Sequence, residues 1–63
     1  MKYEVTFEIA ASQGGNERRV EVDVIDQGDE NTNKADAIVT ASLVLDDEKI
    51  DRWSLVRVAK VTS

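Results

Sequence analysis

Histidine and cysteine are both absent from the 63 residues. With them go the commonest general base, the thiol nucleophile and the usual zinc ligands. Carboxylates are plentiful, and two groupings invite a metal. Asp29-x-Asn31-x-Asn33 matches the first three ligand positions of an EF-hand calcium loop. The position that needs a glycine for the sharp turn is Lys34, however, and the one that needs a bidentate glutamate is Thr40. The stretch reads instead as a helix cap. Asp46-Asp47-Glu48 with Asp51 can attract a divalent cation only weakly and reads as a solvated turn. Gly14-Gly15 is followed by no helix and no Lys-Ser/Thr pair, so it is a turn and not a phosphate cradle. No catalytic, cofactor-binding or metal-ligating residue is assigned, and the chain is expected not to be an enzyme.

The remaining chemistry is charge and apolar surface. Thirteen acids against eight bases give a formal net charge of −5. The whole imbalance lies in residues 1–33, where Lys2, Arg18 and Arg19 face eight acids; residues 34–63 carry five of each sign. Phosphate backbones repel such a chain unless its bases gather on one face. The residues available for that are Arg18, Arg19, Arg52, Arg57 and Lys60, with Trp53 to stack on a base. The bland reading of Trp53, a core residue closing a helix against a sheet, is preferred. A third reading, an acidic inhibitor that mimics DNA, draws on the negative first half, although −5 is modest for a mimic.

These residues must be positioned by few elements. In residues 2–10, Tyr3, Val5, Phe7 and Ile9 alternate with Lys2, Glu4, Thr6 and Glu8, which predicts a half-buried strand. Ser12 to Asn16 is a turn containing both permissive glycines. Residues 18–25 alternate again, with Val20, Val22 and Val24 inward and Arg19, Glu21 and Asp23 outward. The pair makes an antiparallel hairpin with one wet face, on which Lys2, Glu4 and Glu8 meet Arg19, Glu21 and Asp23. Residues 26–33 hold no apolar side chain and read as a loop, with Thr32 or Asn33 as helix N-cap and Asp36 in the first turn.

Residues 34–46 predict a helix whose core face holds Ala37, Ile38, Ala41, Val44 and Leu45. The same stretch also fits a strand of period two, which would make the fold an all-β four-stranded meander. Ala35, Ala37 and Ala41 weigh toward helix, since alanine is the best helix former and a poor strand residue. Residues 52–62 predict a third strand with broken alternation: Trp53 and Leu55 share one parity, Val56 and Val58 the other. That requires a bulge or partial cover on both faces. The result is one α+β domain over residues 1–63, an antiparallel three-stranded sheet packed on one helix in ββαβ order.

On this helix Val39 and Leu43 lie one turn apart, about 120° or more from the centre of the core face. One helix on three strands cannot bury both stripes. With Ile25 among the outward positions of the second strand, they form a candidate protein interface. A chain this short buries only about 60% of its unfolded surface. Disulfides and the usual zinc sites being excluded, self-association is the remaining support, and a homodimer is expected.

A hairpin of alternating residues, then Ala37-Ile38-x-x-Ala41-x-x-x-Leu45, then Trp53-x-Leu55-Val56-x-Val58-x-x-Val61, resembles small ββαβ accessory proteins of bacteriophages and prophages. The match covers nearly the whole chain, but every matched position is one expected in the core. The resemblance implies the fold and a viral or mobile-element origin. It carries no shared catalytic residues, and group members with roles tend to bind host or viral macromolecules. The leading expectation is therefore a non-enzymatic module that binds a host or viral protein. A nucleic-acid-binding accessory protein and an acidic DNA mimic are the alternatives. Met1-Lys2-Tyr3-Glu4 opens an alternating segment and not a signal peptide. No run approaches the ~18 apolar residues of a membrane span, so a soluble protein of the cytoplasm is expected.

Overall fold

The alternating segments become strands because their apolar side chains can be hidden on one side only. The computed structural model describes residues 1–62; Ser63, the last residue of the single domain read from the sequence, lies outside them. Strand β1 spans Lys2–Ile9 and β2 spans Glu17–Asp23. They are joined through a 3₁₀ turn at Ala11–Gln13. Gly14 and Gly15 follow it with φ of 127° and 70°, values that favour glycine. Helix α1 spans Glu30–Asp47 and β3 spans Trp53–Lys60. Both neighbours of β1 run antiparallel to it, in the sheet order β2-β1-β3. The helix packs on one face of this sheet, which excludes the four-stranded meander.

β1 is the centre of the molecule. Its Tyr3, Val5, Phe7 and Ile9 are buried, joined by Val20 and Val22 from β2 and by Ala37, Ala41 and Leu45 from α1. Trp53 is half-buried and meets Phe7 edge-on, with ring centroids 4.7 Å apart at 70°. It closes the end of the core, as the bland reading of this residue holds.

The broken alternation of the third strand is a bulge. Val5 lies opposite Val58 and Thr6 opposite Arg57, but Phe7 lies opposite Leu55 and Ile9 opposite Trp53, with the shift between Thr6 and Phe7. Val56 is the extra residue. It lets Trp53 and Leu55 share the helix-facing side with Val58 despite their different parity.

Three expectations need correction. The helix begins at Glu30, four residues before the predicted start at Lys34, and its N-cap is Asp29, not Thr32 or Asn33. The Asp29 carboxylate accepts from Asn31 N–H at 3.3 Å and from the Thr32 hydroxyl at 2.9 Å. The first turn is wholly polar, so no apolar residue marked it, and Glu30 takes the place at the dipole expected of Asp36. The expected core face holds: Ala37, Ala41 and Leu45 are buried and Ile38 and Val44 pack against them half-buried, with Asn33 added to the buried stripe. On the wet face, the hairpin register sets Glu4 opposite Glu21 and Glu8 opposite Glu17. Like charges thus meet at these two pairs; Lys2 lies opposite Asp23 and reaches Glu21 at 3.5 Å as expected, and Arg19 pairs with Glu17 of its own strand at 3.2 Å.

The helix ends in a Schellman motif. Ile50 N–H donates to Leu45 C=O at 2.8 Å and Lys49 N–H to Asp46 C=O at 2.9 Å, while Ile50 packs on the core. The geometry puts Lys49 at φ 62°, where a Cβ is costly. Lys49→Gly is therefore expected to stabilise the fold by about 1 kcal/mol, a rise in Tm of roughly 4–8 °C. Lys49→Val should lower it. Thermal unfolding followed by circular dichroism reads both, and an unchanged or lower Tm for Lys49→Gly would contradict this account of the helix end.

Candidate functional site

The outward side of α1 is the most apolar exposed surface that the sequence marks. Val39 and Leu43 are 60% and 62% exposed, and Ile25 is 80% exposed. Ile25 lies beyond the end of β2, in the connection to the helix, and not on the strand itself. It lines a shallow depression with Val39, Thr40, Asp36 and Asp23. The structure therefore brings Ile25 and Val39 to one place, and Leu43 continues the row one turn along. Asp36 and Asp46, three residues before Val39 and three after Leu43, are exposed at the two ends of this row.

The six residues considered for nucleic acid do not converge. Arg18 lies opposite Phe7, on the helix side of the sheet. It makes a two-pronged contact with Glu48, Nη2 to Oε2 at 2.7 Å and Nε to Oε1 at 3.3 Å. Arg19 and Arg57 flank Thr6 on the opposite, open face. Arg52 borders a depression with Trp53, Glu8 and Ala11 at one end of the sheet, and Lys60 borders another with Met1, Asp26 and Asn33 at the other end. The bases are spread over two faces and both ends.

Side-chain positions missed by sequence reasoning are polar and structural. Asn33 is buried in the core stripe. Its Oδ1 accepts from Gln27 N–H at 2.8 Å, and its Nδ2 donates to Asp26 Oδ1 at 3.0 Å and to Met1 Sδ at 3.2 Å. Gln13 fastens the turn after β1 to the segment before β3. Its Oε1 accepts from the N–H groups of Asp51 and Arg52 at 3.1 and 2.7 Å, and its Nε2 donates to the Asp51 carboxylate at 2.7 Å. An inward amide at the spacing i−4 from Ala37 was the one signal for Asn33. Nothing local signals Gln13, whose partners are 38 and 39 residues away.

The expected acidic clusters have structural roles or none. Asp29 caps the helix and Glu48 holds Arg18. Among the described residues no group of three or more Asp or Glu is arranged to hold a metal ion. No helix there is long and apolar enough to cross a membrane.

Two carboxyls are held below their ordinary range. Asp26 is lowered first by the Asn33 amide and then by Gly28 N–H. Glu48 is lowered by the hydrogen bond from Arg18, whose own guanidinium is raised in return. A depressed carboxyl favours the fold above its unfolded value, about 3.9 for Asp and 4.3 for Glu, and loses that contribution as pH falls through the lower folded value. Chemical unfolding midpoints should therefore fall on acidification through the carboxylate range. Glu48→Gln should be less stable at neutral pH and should lose less than the parent on acidification. Parallel pH profiles for the two proteins would show that the Arg18–Glu48 contact contributes nothing to stability.

Comparison with protein-family models, curated proteins and solved structures found no match to this chain.

Proposed function

We propose that this chain is a non-enzymatic protein-interaction module that docks a host or viral protein on the outward side of α1. One observation carries the reading. Val39 and Leu43 stand exposed one turn apart on a helix whose other side already forms the core, and Ile25 extends the same patch. Single exposed apolar residues are ordinary; a contiguous set on a rigid element, bordered by charge, is the usual form of a helix-mediated contact. Asp36 and Asp46 at its ends favour a partner that presents apolar groups with basic ones beside them. The row suits a groove that reads positions i and i+4 of a helix.

A second copy binding through this face is the companion case, and it is separable by mass. Val39→Lys combined with Leu43→Lys should leave the circular dichroism spectrum unchanged and cost little stability, because neither side chain is in the core. The same double variant should abolish capture of a defined partner, or reduce a dimer to a monomer in sedimentation velocity. Loss of folded structure in the variant would mean that the two residues are core. Retention of partner binding and of solution mass would remove this face from the proposal.

A further inference from the structure

Strand β3 offers a second surface, unlike the rest of the molecule. It is an edge strand: β1 pairs with one side of it, and no strand among the described residues pairs with the other. β2 is the opposite edge, but five of its seven residues are charged (Glu17, Arg18, Arg19, Glu21, Asp23), which deters pairing. β3, Trp-Ser-Leu-Val-Arg-Val-Ala-Lys, has two charged residues in eight. α1 covers it least, so Leu55 on the helix-facing side is 43% exposed; the bulged Val56 borders the open-face depression with Thr6 and Arg57 and is 53% exposed.

The charge of this edge is reversed. All thirteen acids precede residue 52, while residues 52–62 contain Arg52, Arg57 and Lys60 and no acid. The bonded ion pairs are Lys2–Glu21, Arg18–Glu48, Arg19–Glu17 and Lys34–Glu30. Among the described residues, none of the three cations of β3 and its start takes part in one. Lys60 lies near Asp26, and Arg57 borders a depression with Glu4 and Glu17, but none of these acids bonds to a β3 cation. An exposed backbone edge, apolar side chains beside it and cations in no bonded ion pair together specify an occupant: an extended chain alternating acidic and apolar residues.

We propose that β3 accepts an extended acidic peptide segment as a fourth strand. Its apolar side chains would cover Leu55 beside the helix, and its carboxylates would lie near Arg57 on the open face. The same cations disfavour a second copy, because pairing β3 with β3 brings together two basic strands with no acid between them. This surface is separate from the α1 face and stands or falls without it.

The test uses the full chain and a capped synthetic peptide alternating Glu and Val, about eight residues long to match a strand. Amide chemical shifts and Trp53 fluorescence are the readouts. The Glu/Val peptide is expected to perturb amides of residues 53–60, with affinity falling as salt rises. A Lys/Val peptide and a Glu/Val peptide interrupted by proline should not bind. Arg57→Glu should weaken binding about tenfold or more, whereas Arg57→Lys should largely keep it. No binding, equal binding of the Lys/Val or proline-interrupted peptide, perturbations confined to α1, an inert Arg57→Glu, or a free protein already dimerised through β3 would each overturn the proposal.

Discussion

How closely α1 can approach β1 sets the rest of the molecule. The sheet brings the large side chains to this contact, Tyr3, Val5, Phe7 and Ile9, and the helix answers with Ala37 and Ala41 between Asn33 and Leu45. Two alanines in the middle of the stripe let the helix lie low over the aromatic rings, and bulkier residues there would force it away or strain its neighbours. A single helix seated in this way covers two strands well. The third is left with its apolar residues half in water, and the far side of the helix, with Val39 and Leu43, is turned wholly outward. Both exposed surfaces therefore follow from the same seating.

Much of this was legible because it rests on local pattern. Tyr3 to Ile9 and Val20 to Val22 alternate without interruption, and β1 and β2 follow directly. The parity break between Leu55 and Val56 required either a bulge or cover on two faces, and the bulge is what occurs. The helix was underdetermined for a physical reason: Ala37, Val39, Ala41, Leu43 and Leu45 satisfy both the strand and the helix period when a second apolar stripe is present. Its start was misplaced because the first turn is polar, and a buried amide held by Asp26, Gln27 and Met1 depends on a fold not yet known. Hairpin register was also out of reach. It decides whether Glu4 meets an arginine or Glu21, and a shift in pairing that preserves each strand's inward face still changes the charges that meet across it.

The candidate site divides along the same line. Exposure of Val39 and Leu43 could be read from helical geometry and from the size of the core; Ile25 was expected outward from strand parity and is exposed in the connection beyond β2. The placement of the bases could not, since it depends on which face and which end of the sheet each residue reaches. Arg18 faces the helix side by its register opposite Phe7 and bonds Glu48 there, Arg19 and Arg57 stand on the open face, and Arg52 and Lys60 lie at opposite ends. The most distinctive charge feature, a basic apolar edge on an acidic chain, was visible in residues 52–62 but gained meaning only once β3 proved to be an edge strand.

The central claim is that α1 shields β1 and β2 while leaving its own outer row and β3 open. Methyl NMR in the presence of a soluble paramagnetic relaxation agent measures that shielding directly. The account predicts strong enhancement for the methyl groups of Val39, Leu43, Leu55 and Val56 and weak enhancement for those of Val5, Val20 and Leu45. Protection of Leu55 equal to that of Val5 in the monomeric protein would contradict it, because the helix would then have to lie across β3.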